Sequence, residues 1–276
     1  MLSSALISLI LVTLSFAWQP SGTVVFEDSF EGDSLDLSKW EIKEGHSAYG
    51  FVRLQCYTKE NIVVSDNQLT IKAEVKEVEC DAHLKQQKRL KYTSARIQTR
   101  KAYDFTSIEI VAKTSKGSHL QPALWTQAAD RDKGIYEELD IMEQKGTFVG
   151  KLYQSGHWGK NWTHLHKNST YSYVDDMSAD FHRFGMEKTS TDIIFYFDGE
   201  EKRKLQRNLA YWNDTKIDNI PNFDFGTPFD QPAKLIINLA VGGNWFIKDG
   251  ELSIEIAQEW EKPSLEVKSV KIFNSI

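Results

Sequence analysis

At 276 residues with 41% hydrophobic and 12% aromatic content, the chain has the apolar area for a sizeable core, which excludes a disordered chain depleted in aromatic and β-branched residues. A formal net charge of −6 with no long basic run excludes a nucleic-acid partner, because phosphate binding draws its affinity from clustered Lys and Arg. Large β-sandwiches of roughly 200 to 250 residues form single domains, so one domain over residues 18–276 is expected.

The chain opens on MLSSALISLILVTLSFA, where an apolar stretch from Ala5 to Leu14 precedes Ser15-Phe16-Ala17. This is the pattern of a signal peptide over residues 1–17, cleaved after Ala17. It implies a secreted, extracellular protein with no membrane segment after cleavage. An n-region without Lys or Arg leaves an uncleaved anchor as the alternative, although the apolar run is shorter than the roughly 20 residues that span a bilayer. In an oxidising compartment Cys56 and Cys80, the two cysteines present, are expected to pair; two separately buried thiols are the alternative. Asn161-Trp162-Thr163, Asn168-Ser169-Thr170 and Asn213-Asp214-Thr215 are N-glycosylation sequons, which point to exposed loops.

Runs rich in Val, Ile, Phe, Tyr and Thr, separated by Gly, Asp, Asn and Ser, predict an all-β fold. In chain order the expected strands are 24–26, 62–64, 69–73, 94–99, 107–112, 123–126, 137–143, 182–187, 192–197, 234–240 and 265–273. Ser65-Asp66-Asn67-Gln68 and Asp198-Gly199-Glu200 are strong turn signals. Lys85, Lys88, Arg89 and Lys91 read as a solvated hairpin tip rather than an anion site. Many short strands with frequent turns suggest a double-sheet sandwich.

The most informative segment is Tyr136-Glu137-Glu138-Leu139-Asp140-Ile141-Met142-Glu143, where acids alternate with apolar residues at the period of a strand. Glu138 and Asp140 share a face. Simple alternation puts Glu143 on the other, but one extra residue bulged at Ile141 or Met142 restores the phase. Glu138 and Glu143 then lie four strand steps apart, about 13 Å between backbones, and inward-leaning side chains bring their carboxyl groups to about 5 to 6 Å, near the spacing of a retaining glycosidase. The competing reading is a solvated acidic face on an edge strand.

The same hexapeptide, Glu138 to Glu143, resembles the ExDxxE signature of glycoside hydrolase family 16, in the bulged form of its laminarinase-like endo-β-1,3-glucanases. Leu35-Asp36-Leu37-Ser38-Lys39-Trp40, Tyr92-Thr93-Ser94-Ala95-Arg96-Ile97, Pro122-Ala123-Leu124-Trp125 and Ser155-Gly156-His157-Trp158-Gly159 are similar to further segments of that family. So are Phe229-Asp230-Gln231-Pro232 and Ile237 through Trp245, in family order. The resemblance implies a β-jelly-roll sandwich of two curved antiparallel sheets with a concave substrate cleft. It also implies Glu138 as nucleophile, Glu143 as general acid/base and Asp140 as the helper between them. Arg96, Trp125, His157, Trp158 and Trp245 match substrate-binding positions, with core roles for Trp125 and Trp245 and a salt bridge for Arg96 as alternatives. Trp40 and Trp260 read as structural.

The partner implied is a β-glucan polysaccharide acted on by a monomer, with no cofactor and no metal. His157, His164 and His166 lack a metal-ligand spacing. Four departures stand out. Tyr49 to Thr58 lacks the family's Trp-Gly-Asn-Asn-Glu stretch, Lys188 replaces a tryptophan behind His182 and Glu187, and Ala95 replaces a glycine. Lys268 stands where an aspartate commonly helps bind calcium, and is expected to pair with Glu27 or Asp28 instead. The competing functions are a non-catalytic β-glucan recognition protein, which the intact acids argue against, and a hydrolase of mixed-linkage β-1,3-1,4-glucan.

Overall fold

The computed structural model describes residues 17–46, 53–82, 86–128, 135–160, 164–207 and 229–275. Period-two runs of apolar residues build the strands, each burying alternate side chains. In chain order they are β1 (Thr23–Asp28), β2 (Trp40–Ile42), β3 (Gln55–Tyr57), β4 (Ile62–Ser65), β5 (Gln68–Lys72) and β6 (Glu74–Ala82). Next come β7 (Gln86–Ser94), β8 (Arg96–Thr99), β9 (Ser107–Lys113), β10 (Leu120–Ala128), β11 (Ile135–Glu143) and β12 (Lys151–Lys160). The last six are β13 (His164–Tyr173), β14 (His182–Lys188), β15 (Asp192–Phe197), β16 (Glu200–Gln206), β17 (Ala233–Val241) and β18 (Ser264–Asn274). Among the described residues the one α-helix is short, α1 (Ile254–Gln258), and is capped by Ser253, whose side chain accepts from the Ile256 amide. No helix among the described residues is long and apolar enough to cross a membrane.

Two large sheets carry the fold. One runs β16-β15-β14-β9-β18-β5-β4, with β1 also on β18; the other runs β13-β12-β11-β10-β17-β8-β2. Their facing sides meet in one core, in which Leu69, Ile71, Ile110, Phe184 and Phe195 of the first sheet oppose Ile97, Leu124, Leu139, Leu152 and Ile237 of the second. A small third sheet, β3-β7-β6, contains a parallel pairing of β3 with β7. All eleven expected strands lie in or overlap observed ones, and both turn signals hold. Asp66 and Asn67 take φ of 53° and 54° between β4 and β5, and Asp198 and Gly199 take 51° and 83° between β15 and β16, the positive-φ pairs that tight hairpins require.

The expected 94–99 strand divides at Ala95: Ser94 ends β7, and Arg96 begins β8 in a different sheet. The expected cystine is present, Cys56 on β3 to Cys80 on β6, with Cα atoms 5.8 Å apart. Arg89 and its neighbours lie along β7 rather than at a tip, and the Arg89 Nε donates to Glu77 at 2.7 Å. Trp40 is fully buried and gives its indole N–H to Asp28 at 2.7 Å, while the Trp260 indole donates to the Ser118 carbonyl at 2.7 Å, both structural as expected.

Two expectations need correction. Lys268 does not pair with Glu27 or Asp28: it is the extra residue of a bulge in β18, is exposed, and holds its ammonium 4.3 Å from the Phe181 ring centre. Asp28 instead faces Trp40 and Lys39. The Asn168 sequon is no exposed loop, since Asn168 sits half-buried in β13 with its backbone and side-chain carbonyls both accepting from Arg203. Residues 1–16 of the expected leader, Tyr49 to Val52, Lys85, the Asn161 and Asn213 sequons and the side chains of His164 and His166 lie outside the described residues.

Candidate active site

The site is built on β11. Asp140 pairs with Ser155 of β12, and the next paired residues are Glu143 and Tyr153, so three steps on β11 match two on β12. That is the expected bulge, with Ile141 and Met142 as the doubled residues and both side chains in the core. The bulge restores phase: Glu138, Asp140 and Glu143 all face outward from the seven-stranded sheet while Leu139 and Ile141 face inward. Glu138 opposes His157 and Glu143 opposes Tyr153. Because residues 153 and 157 are four steps apart on the unbulged strand, the two glutamates are separated by about 13 Å of backbone.

The bulge is held chemically. Gln154 reaches back to donate to the Ile141 carbonyl at 3.2 Å, satisfying an acceptor that the broken ladder leaves open. Arg203, on β16 of the opposite sheet, in turn donates to the Gln154 carbonyl.

Each acid has its own surroundings. The Tyr136 hydroxyl donates to Glu138, and the His157 Nε2 lies 3.8 Å from Glu138 Oε1 and 3.2 Å from Asp140 Oδ2. Burial, followed by the neighbouring Asp140 charge, pushes Glu138 up to about 8. Burial and then Glu143 also hold Asp140 well above the usual carboxylate range. Burial lowers His157, which therefore stays neutral at pH 7, even though Glu138 pulls the other way. Acids this close cannot all ionise cheaply, so the cluster retains a proton at neutral pH.

Glu143 is gripped from another side. The Gln121 amide, on β10, donates to Glu143 Oε1 at 2.7 Å; Arg53 donates to the Gln121 side-chain carbonyl, and to the Gly242 carbonyl at 3.1 Å. Beside Asp140, Trp125 faces the acids across β10 and β11. Its indole N–H donates to Asn238 at 2.7 Å, and the Arg96 guanidinium lies 5.0 Å from its ring centre. Trp125 is half-buried on the acid face, so it is not a core residue.

Of the residues singled out from the sequence, Arg96, Trp125 and His157 gather around Glu138, Asp140 and Glu143. Trp245 lies at one end of the group, in the 3-10 segment Asn244–Asp249, with its ring edge-on to Tyr153 at 4.7 Å. Trp158 is a correction. It follows His157 directly, so it points to the opposite face, where it is buried against Phe229 at 5.6 Å between ring centres. Sequence reasoning missed Gln121, Arg53, Tyr136, Asn238 and Tyr153; only Tyr136 carried a local signal, two residues before Glu138 on the same strand face. Glu138, Asp140 and His157 also place donor atoms within 4.8 Å of one another.

Paired carboxylates on the outward face of a β-sandwich, with an indole and a guanidinium beside them, are the equipment of a glycoside hydrolase. Residues 53–260 match the model of Glycosyl hydrolases family 16, and the chain belongs to that family. The glucan endo-1,3-beta-glucosidase of Cryptopygus antarcticus is 31% identical over 257 residues, 89% of this chain and 90% of that one. Glucan endo-1,3-beta-glucosidase A1 of Niallia circulans is 30% identical over 242 residues, 80% of this chain and 34% of the relative, so this chain spans about a third of that protein's length. The laminarinase catalytic domain from Thermotoga maritima MSB8 shares the fold, with a TM-score of 0.76 at 24% identity over 93% of this chain and 100% of that one.

Proposed function

We propose that this protein is a secreted, retaining endo-β-1,3-glucanase in which Glu138 is the nucleophile and Glu143 the general acid/base. The observation that carries the reading is the bulge at Ile141 and Met142, which turns three acids of one strand onto a single open face. In the first step the Glu138 carboxylate attacks the anomeric carbon, the bond to the leaving oxygen breaks, and Glu143 gives that oxygen its proton. In the second, Glu143 takes a proton from water as the water displaces Glu138, restoring both acids.

The reaction requires Glu138 ionised, although burial favours its neutral form. The Tyr136 hydroxyl favours the Glu138 anion, and Asp140 is the neighbour that takes the shared proton when Glu138 attacks. Trp125 offers an apolar face to a sugar ring and Arg96 offers donors to its hydroxyls. Two-carboxylate hydrolysis uses no cofactor. The signal-peptide pattern of residues 1–17 and the Cys56–Cys80 cystine, which suits an oxidising compartment, support the secreted reading.

The test is release of reducing ends from a soluble β-1,3-glucan by the protein and its Glu138→Gln variant, with mixed-linkage glucan and cellulose alongside. Mixed short oligomers that Glu138→Gln abolishes, released first with β configuration, support the reading. Faster cutting of mixed-linkage glucan would move the substrate, and binding without cutting of any of the three would replace hydrolysis by recognition.

A further inference from the structure

Among the described residues, the exposed aromatic side chains are Phe148, Tyr171 and Tyr173. Phe148 lies in the turn leading into β12, and Tyr171 and Tyr173 lie on β13, on the same side of the sheet as the acids. Tyr153 faces outward directly opposite Glu143, and Tyr171 of β13 is directly opposite Tyr153. The rings form a continuous row. Centroid separations are 4.7 Å from Trp245 to Tyr153, 5.5 Å from Tyr153 to Tyr171 and 5.6 Å from Tyr171 to Tyr173. From Glu143 the row crosses two strands at about 4.8 Å each, so Tyr171 stands about 10 Å from the acid strand, at the open edge of the sheet.

We infer that Tyr153, Tyr171 and Tyr173 form a platform that binds further sugar rings of a β-glucan chain running off the acid face, an inference that rests on the glucanase reading. Cross-strand aromatic pairing alone accounts for Tyr153 against Tyr171. It does not account for Tyr173, which is 76% exposed at the end of an edge strand where apolar surface is a liability. A tyrosine combines an apolar ring with a hydroxyl at its tip, matching a sugar's apolar face and its rim of hydroxyls. Lys151 holds the row in place: its ammonium lies 3.6 Å from the Tyr171 ring centre and 5.2 Å from that of Tyr153. This cation fixes the rings before a ligand arrives, which lowers the ordering cost of binding. The occupant is identified by continuity, because the row starts at the residue facing Glu143 and leads outward from it.

The experiment measures binding of β-1,3-linked gluco-oligosaccharides, from the trisaccharide upward, to the Glu138→Gln protein by calorimetry. The same titration is run after adding Tyr171→Ala with Tyr173→Ala, and after adding Tyr173→Ala alone, whose exposure makes it safe for folding. In the parent, affinity is expected to climb with chain length. The double variant should bind the longest oligomers about tenfold more weakly while losing less on the trisaccharide, and Tyr173→Ala alone should lose part of that increment. Tyr171→Phe with Tyr173→Phe should retain most of it. Equal affinity of the parent and both alanine variants for the longest oligomers, with the unmutated protein still cutting β-1,3-glucan, overturns the platform alone. A parent that binds no β-1,3-oligosaccharide, together with an unmutated protein that cuts none, overturns the platform and the glucanase reading together.

Discussion

Replacing Glu138 by Gln should stabilise the fold in a strongly pH-dependent way. Glu138 is pushed from an ordinary 4.5 up to about 8, so the folded state holds its proton more tightly than the unfolded chain does. The favourable contribution of that proton is complete below about 4.5 and is lost as the pH rises towards about 8, while the amide of the Glu138→Gln variant does not titrate. At 1.36 kcal/mol per unit, the window from 4.5 to pH 7 amounts to about 3 kcal/mol as an upper bound. Sharing of the proton with Asp140 and partial exposure of the carboxylate bring the expected gain to about 1 to 3 kcal/mol. For a chain of this size that is about 3 to 8 °C in Tm. Thermal melts of the parent and Glu138→Gln, run side by side from pH 4 to pH 8, read it directly: the Tm gap should be small at pH 4 and keep widening up to about pH 8. A gap that stays constant with pH, or narrows as pH rises, would refute the assignment of a buried, proton-retaining cluster.

Three further outcomes follow from the same geometry. Asp140→Asn removes the charge that, after burial, does most to raise Glu138, so the ascending limb of the kcat/KM profile should move to lower pH while activity falls; an unmoved limb would separate the two acids electrostatically. Gln121→Leu deletes a hydrogen bond to the Glu143 carboxylate, worth about 1.5 to 3 kcal/mol, and should cost about tenfold or more in kcat/KM, mostly in kcat; a wild-type rate would show that Gln121 does not position the acid. Reduction of Cys56–Cys80, which closes a segment with a sequence separation of 24, should lower unfolding stability by about 3 kcal/mol in urea, and no change in midpoint would contradict this.

Much of the site was legible because it is local. The acids and their bulge lie within six consecutive residues, and period-two arithmetic exposes them; Tyr136, two residues before Glu138 on the same face, was within reach of that arithmetic but was not singled out. The same arithmetic, applied to His157 and Trp158, would have sent the tryptophan to the core, since neighbours on a regular strand cannot share a face. Strands β6, β7, β12, β13 and β16 escaped because polar residues on both faces blur the alternation, and β2 and β3 because three residues are too few to show a period. Gln121 and Arg53 were invisible for a different reason: 68 residues separate them, and no period in either segment announces a contact made by tertiary packing. Lys268 was misread because a bulge in β18 takes it out of the ladder, and its ammonium lies over the Phe181 ring, a contact made by tertiary packing.

Arg203 shows how far the machinery reaches behind the surface that meets substrate. It belongs to the other sheet, yet it grips the carbonyl of Gln154, whose amide pins the doubled step of β11. The interval between Glu138 and Glu143 is thus a tolerance set from the rear of the sandwich, much as a jig sets the gap between two jaws. Efforts to retune this protein by altering only what faces the sugar would leave that setting untouched, whereas a swap at position 203 would disturb it without changing a single group that touches the ligand.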